Sequence, residues 1–271
     1  MRVHVVQVAY GDDEPVAERV ARVADLVRGQ RGADLVVLPE LWAPGGFSYP
    51  RWQDRAEQVD GPTVRAIAAA AADIGAVVHA GSIVERVPDG SPPDRCGPTG
   101  RGRWNTSVLI GRDGGVLATY RKIHRFGFGE GELLLMEAGD QIVTVSLPGP
   151  EPVTVGLATC YDLRFPELFR LLLDAGAQLV IVPAAWPSPR VEHWRLLGRA
   201  RAVENQTIVV QCNTGGTHAG VRMGGHSQVV SPTGEVLAEA GDGQEVLVVD
   251  VDPAEATAWR QRFPVLADRR L

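Results

Sequence analysis

The chain has 271 residues, a length for one large domain or two modest ones and enough to bury a sizeable core. Its composition, 45% hydrophobic and 22% charged, is that of an ordinary globular protein, and at a net charge of −6 nothing looks like the basic patch or stripe that a nucleic-acid binder needs. Apolar runs such as 179–183 fall far short of the ~18 residues of a membrane helix, residues 1–10 lack a secretory-signal pattern, and Cys96, Cys160 and Cys212 are too scattered for a disulfide framework or a zinc site, so a cytoplasmic, reducing environment is expected.

Short β-rich apolar runs alternate with helical patterns, which predicts an α/β layer protein. Residues 3–9 read as a strand and 14–28 as a helix, with Val16, Val20, Val23 and Val27 at helical spacing. The run 34–38 (DLVVL) is a buried strand ending at Pro39-Glu40. Residues 63–74 form an alanine-rich helix behind Pro62, and 76–84 a strand. The segment 87–103 is too dense in Pro and Gly for a regular element and reads as a surface insertion or a lid. Strands at 104–110 and 116–120 pair around the turn Arg112-Asp113-Gly114-Gly115.

The second half repeats the theme. A strand at 153–158 runs into Cys160, a helix at 166–175 opens on Pro166 and closes at Gly176, 178–182 is a buried strand, and 191–205 is a long amphipathic helix. A strand at 207–211 leads to a glycine-rich loop, 213–225. A hairpin then turns at Ser231-Pro232-Thr233-Gly234, a strand spans 245–251, and the tail 253–271 is one helix with an irregular end. No linker divides the chain, which reads as one domain, 1–271, of two α/β halves.

Cys160 stands at the exit of an apolar strand and just before a helix, where α/β proteins lift a reactive side chain out of the sheet. Peptide N–H groups at such a turn favour a thiolate and an oxyanion. A buried structural cysteine fits the same place, although the following Tyr161, Asp162 and Arg164 are odd for a core position. Glu40 ends a buried strand, where open α/β sheets place ligands, and Lys122 follows another strand; singly, each also reads as a surface charge. Together they answer one chemical need. Amide attack requires a base for the thiol, a fixed cation or N–H donors for the oxyanion, and a proton for the departing amine.

The segments Leu38-Pro39-Glu40, Tyr120-Arg121-Lys122-Ile123-His124 and Cys160-Tyr161-Asp162-Leu163-Arg164-Phe165-Pro166-Glu167, in that order, resemble the nitrilase or carbon–nitrogen hydrolase superfamily. Gly81-Ser82-Ile83, Asn105-Thr106, His193-Trp194, Arg201-Ala202-Val203-Glu204-Asn205 and Gly225-His226-Ser227 support the resemblance, which spans nearly the whole chain. It implies a four-layer α-β-β-α sandwich, Glu40 as general base, Lys122 as the oxyanion-stabilising cation and Cys160 as the acyl-bearing nucleophile. The backbone N–H of Tyr161 would be the second oxyanion donor. A second active-site glutamate is also implied; Glu132 has the family spacing to Ala138-Gly139-Asp140, with Glu130 and Glu137 as the alternatives.

Within the superfamily the motifs resemble the branch that includes ω-amidases and Nit-type amidases. The expected reaction is hydrolysis of a linear carboxamide, a small-molecule substrate, to carboxylate and ammonia. An N-carbamoyl compound or a nitrile would use the same residues, and a non-catalytic interaction module is the remaining reading. A Cys–His hydrolase built on His124 or His193 would leave Glu40 and Lys122 unexplained. Arg164 would clamp a substrate carboxylate or else pair with Asp162 or Glu167, and Trp186 would line the pocket or serve the core. No metal or organic cofactor is implied. The resemblance also implies a homodimer or larger homo-oligomer, with the tail 253–271 reaching a neighbour or covering an edge of its own chain.

Overall fold

The structure is a computed structural model that describes residues 1–88, 90–147, 149 and 152–270. In chain order its elements are β1 (Arg2–Gln7), β2 (Ala9–Tyr10), α1 (Val16–Arg28), β3 (Leu35–Val37), α2 (Pro62–Ile74), β4 (Val77–Arg86), β5 (Arg103–Ile110), β6 (Val116–Arg121), α3 (Glu132–Leu135), β7 (Val143–Leu147), β8 (Val153–Leu157), α4 (Pro166–Asp174), β9 (Leu179–Pro183), α5 (Val191–Asn205), β10 (Ile208–Cys212), β11 (Gly215–His218), β12 (Val221–Arg222), β13 (Gln228–Val230), β14 (Val236–Glu239), β15 (Glu245–Asp250) and α6 (Ala254–Arg262).

Two six-stranded sheets carry the fold, in the orders β15-β1-β3-β4-β5-β6 and β14-β13-β10-β9-β8-β7. Each has a parallel centre: β1, β3 and β4 in one, β8, β9 and β10 in the other. Such strands are buried on both faces and read as continuous apolar runs. The period of two still sorts their side chains. Val3, Val5, Leu35 and Val37 meet Val155, Leu157, Leu179, Ile181 and Val210 between the sheets. Their neighbours Val36, Leu38 and Val78 pack outward on Val23 and Val27 of α1 and Ile67 and Ala70 of α2. On the far side, Val180, Val182 and Val209 pack on Leu168, Phe169 and Leu172 of α4 and Trp194 and Ala202 of α5. The result is a four-layer α-β-β-α sandwich. Each fully buried Val, Leu or Phe contributes about 1.5–3 kcal/mol, so the three clusters hold the layers in register.

Two features depart from the expected elements. The glycine-rich stretch 213–225 contains β11 and β12, which join β2 in a third, small sheet. β12 pairs with β11, and β11 pairs with Ala9 and Tyr10, some two hundred positions away, so local composition gives no sign of them. An edge strand, β7, pairs antiparallel with β8 where no element is expected. The segment 87–103 is irregular, as expected: ahead of β5, which opens at Arg103, its described residues hold a 3₁₀ turn at Pro93–Arg95 and no other regular element. Glu137 ties it down by accepting from Thr99 Oγ1 at 2.5 Å and from Arg101 N at 2.8 Å. It borders a cleft with Glu85, Trp104 and Arg121, and none of its described residues lines the cavity around Cys160. The tail lies on its own chain: Arg260 Nη2 donates to Ala177 O at 2.7 Å, and Gln206 Nε2 to Phe263 O at 2.8 Å.

Candidate active site

Glu40 leaves the end of β3 and enters the site because β4 gives way beside it. Gly81 interrupts the β4–β5 register with φ +72°, and a Cβ there would stand 1.8 Å from Pro39 O. Only glycine permits that approach. The next residue, Ser82, accepts the Leu41 N–H at 3.1 Å on Oγ, fixing the turn in which Leu41 has φ 45°. Glu40 is thereby aimed inward, 3% exposed.

Its two oxygens are divided between the sheets. Oε2 accepts Ala185 N, beyond β9, at 2.8 Å. Oε1 accepts Lys122 Nζ and Asn105 Nδ2, each at 2.8 Å. Lys122 follows β6, anchored by its own N–H on Asn105 O and by Gly139 N on its carbonyl. Its ammonium also donates to Glu132 Oε1 at 3.0 Å, as Asn105 Nδ2 does at 2.6 Å. The other Glu132 oxygen accepts Phe126 N at 2.6 Å, closing the loop that precedes α3. One lysine and one asparagine therefore bridge two carboxylates out of reach of solvent.

Cys160 opens a 3₁₀ turn, Cys160–Arg164, directly after β8. Its φ of 49° is the left-handed region, which costs a side-chain-bearing residue about 1–2 kcal/mol. Surrounding bonds hold it there. Thr159 and Asp162 form a reciprocal capping box, with Thr159 N donating to Asp162 Oδ2 at 2.8 Å. The fully buried Asp162 also accepts Tyr120 OH at 2.7 Å, His124 N at 3.0 Å and His124 Nδ1 at 2.8 Å. Arg201 donates through Nε and Nη2 to Leu163 O at 3.0 and 2.8 Å.

The charges settle in a definite pattern. Burial works against the Lys122 ammonium, but Glu132, Glu40 and Cys160 outweigh it and hold its pKa well above the ordinary lysine value. Burial, with Glu40 adding and Lys122 opposing, raises Glu132. Burial and then the charge of Glu40 raise the Cys160 thiol well above its ordinary value; Lys122 opposes them, and a hydrogen bond to Glu40 reinforces them. At rest the sulfur is a thiol beside a carboxylate and a permanent cation.

A cavity at Cys160 is walled by the rings of Phe47, Tyr49, Trp52, Phe126, Tyr161 and Trp186, with Pro187 and the cations Arg164 and Arg190. The structure thus brings Glu40, Glu132 and Cys160 to one cavity with Tyr161, Arg164 and Trp186, and binds Lys122 to both glutamates. Glu130 is exposed, and Glu137 is occupied with Thr99 and Arg101. The Arg164 guanidinium lies 4.6 Å over the Trp186 ring and 3.4 Å from His193 Nδ1; among the described residues it pairs with neither Asp162 nor Glu167, which removes the internal ion pair. His124 stacks on Phe165 and holds Asp162, and among the described residues neither His124 nor His193 hydrogen-bonds Cys160. Sequence reasoning missed Asn105 as a bridge, the Ala185 and Phe126 N–H donors, and Arg190. The polar run Asn105-Thr106-Ser107 inside an otherwise apolar strand is the signal for the first. Among the described residues no group of three His, Cys, Asp or Glu is placed to hold a metal, and no helix is long and apolar enough to cross a membrane.

Comparison with known proteins agrees over the whole chain. The carbon-nitrogen hydrolase family profile matches residues 2–261. The 2-oxoglutaramate amidase of Paenarthrobacter nicotinovorans is 44% identical over 269 residues, 99% of this chain and 89% of that protein. The human omega-amidase NIT2 is 33% identical over 265 residues, 94% of this chain and 90% of that one. A carbon-nitrogen hydrolase superfamily protein of Xanthomonas campestris, solved with an arsenic adduct in its active site, superposes with a TM-score of 0.86 at 31% identity, covering 100% of this chain and 97% of that one. The chain belongs to the carbon-nitrogen hydrolase family and is a hydrolase acting on carbon–nitrogen bonds.

Proposed function

We propose that the enzyme hydrolyses the terminal amide of a small carboxylic acid, an ω-amide of the 2-oxoglutaramate type, to the dicarboxylate and ammonia. Glu40 takes the Cys160 proton, and the thiolate attacks the amide carbon. The oxyanion faces Lys122 Nζ and the Tyr161 N–H. As the tetrahedral intermediate collapses the C–N bond breaks, and protonated Glu40 returns its proton to the nitrogen, which leaves as ammonia. Glu40 then deprotonates a water that attacks the Cys160 thioester, and collapse frees the carboxylic acid and restores the thiol. Glu132 keeps Lys122 charged and aimed.

The observation that carries this reading is the Lys122 ammonium fixed at 2.8 and 3.0 Å between two buried carboxylates that share a cavity with Cys160. The amidase relatives support the substrate class. Mass spectrometry after exposure to ω-amides should find an acyl group on Cys160, and Cys160→Ala should release no ammonia. Carbon dioxide from ureido acids in place of ammonia from amides would overturn the reading.

The same proposal takes 1–271 as one domain, acting in the cytoplasm as a homodimer or larger homo-oligomer. Exposed Leu171, Leu196, Val203, Phe263 and Val265 on the outer helices and tail support an interface there. Light scattering on the eluting protein tests it, and a monomer at micromolar concentration would refute it.

A further inference from the structure

Two guanidinium groups, Arg164 and Arg190, line the cavity that holds Cys160, and among the described residues neither is paired with a carboxylate. The two carboxylates that line that cavity are already committed, Glu40 and Glu132 to Lys122, Asn105 and backbone N–H groups. Each arginine instead lies over an aromatic ring of the wall, Arg164 at 4.6 Å over Trp186 and Arg190 at 5.7 Å over Phe126. Stacking occupies the faces of a guanidinium and leaves its N–H edges for a ligand. Both are half-buried, and burial, with the Arg190 charge adding to it, lowers the pKa of Arg164. Two like charges drawn together and partly out of water are relieved by an anion between them.

Arg190 is also built into the piece of chain that holds the base. Ala185 N binds Glu40, Trp186 N donates to Asn213 Oδ1 at 2.7 Å, Trp186 Nε1 donates to Arg190 O at 2.7 Å, and Arg190 N to Pro187 O at 3.1 Å. The base and the second cation therefore sit at the two ends of one six-residue braced segment, which sets a fixed span between the reacting amide and an anion.

We propose that Arg190 is a specificity-determining residue which, with Arg164, binds the carboxylate at the end of the substrate remote from its amide. The proposal rests on the amidase reading of Cys160. A bidentate guanidinium–carboxylate contact supplies both affinity and register, so amides carrying that carboxylate are favoured over neutral amides of equal length.

The test compares succinamate with butyramide, and separately titrates glutarate into the Cys160→Ala protein. In Arg190→Gln the ratio of kcat/KM for succinamate to that for butyramide should fall about 10- to 100-fold, mostly through KM. Glutarate should bind Cys160→Ala/Arg190→Gln about 10- to 100-fold more weakly than Cys160→Ala. Arg190→Lys, which keeps the charge without the fork, should recover part of each loss. An unchanged ratio with unchanged glutarate affinity overturns the proposal. Absence of hydrolysis of both amides by the native enzyme would instead overturn the amidase reading, and the glutarate titration would still decide the clamp.

Discussion

Lys122→Met keeps the four-atom apolar stem of the side chain and deletes its ammonium, which exposes the two glutamates to one another. Glu40 Oε1 and Glu132 Oε1 both accept from Asn105 Nδ2, at 2.8 and 2.6 Å, so they are no more than about 5.4 Å apart. At an effective dielectric of about 20, unit charges at that separation repel by at least ~3 kcal/mol, or ~2 pKa units. With Nζ gone, the pair takes up a proton at higher pH than in the wild type, titrating as a unit rather than as separate residues. The sign follows. A carboxyl whose native pKa lies above its unfolded value of 4.5 binds more protons in the native state, so stability falls as pH rises from that value through the native one. The wild type has a weaker form of this slope, because burial and Glu40 already raise Glu132. Its Lys122 adds none there: a lysine raised above 10.5 contributes stability that is complete below that value and is lost as pH rises from it through the native one. Urea denaturation at about pH 5 and about pH 7 should therefore show Lys122→Met losing about 2–3 kcal/mol more than the wild type across that interval. Parallel pH dependences for the two proteins would refute the charge balance described here.

Other perturbations act on single links of the site. Glu40→Gln should lower the Cys160 thiol pKa, measured by thiolate absorbance, because the carboxylate that opposes ionisation is removed, while ammonia release falls by about 10²–10⁴-fold for lack of the base. A thiol pKa that rose in this variant would contradict the electrostatics. Asn105→Ala removes two charge-assisted donors to buried carboxylates and should cost about 2–4 kcal/mol in thermal or urea unfolding, with kcat reduced more than KM. Gly81→Ala must move Pro39 O by more than an ångström and strain a positive φ, so a loss of about 2–4 kcal/mol together with reduced kcat is expected; wild-type activity in Gly81→Ala would show that Glu40 is aimed by something else.

Much of the fold is legible because buried parallel strands advertise themselves. DLVVL, QLVIV and TIVVQ are short apolar runs bounded by turns, and they became β3, β9 and β10 with ends shifted by a residue or so. Helix α5 has the expected bounds, Val191–Asn205, and α1 and α2 begin within two residues of expectation. Glu40 and Cys160 could be suspected because each follows such a run. The second glutamate could not be chosen from spacing with the same force: Glu130, Glu132 and Glu137 lie within eight positions, and what separates them is where the loop turns, with the Phe126 N–H drawing Glu132 inward. Arg190 is harder still. In sequence it is one basic residue ahead of a helix, and its place beside Arg164 exists only once β9, α5 and the 3₁₀ turn after β8 are packed together.

That packing shows why the chemistry lies at the ends of strands rather than inside either sheet. The first sheet supplies Glu40, Asn105 and Lys122, and the second supplies Cys160 and Ala185, so neither sheet holds a complete set. Contacts between the sheets do more than stack valines. Ser107 Oγ meets Thr159 Oγ1 at 2.8 Å, Tyr120 OH reaches Asp162 at 2.7 Å, and Gln7 Oε1 accepts Ser227 Oγ at 2.7 Å. Each bond is directional and buried, so a sliding of one sheet over the other by even an ångström breaks several at once. The close-packed apolar core between the sheets resists such sliding as well, because a gap of about 0.5–1 Å already forfeits a quarter to a half of a dispersion contact. Core and polar rim together set the register, and the same register brings the thiol within reach of Glu40. Under this mechanism, substitutions at Ser107 or Tyr120, which line no part of the cavity, should alter the position of Cys160 relative to Lys122 while leaving the cavity wall intact.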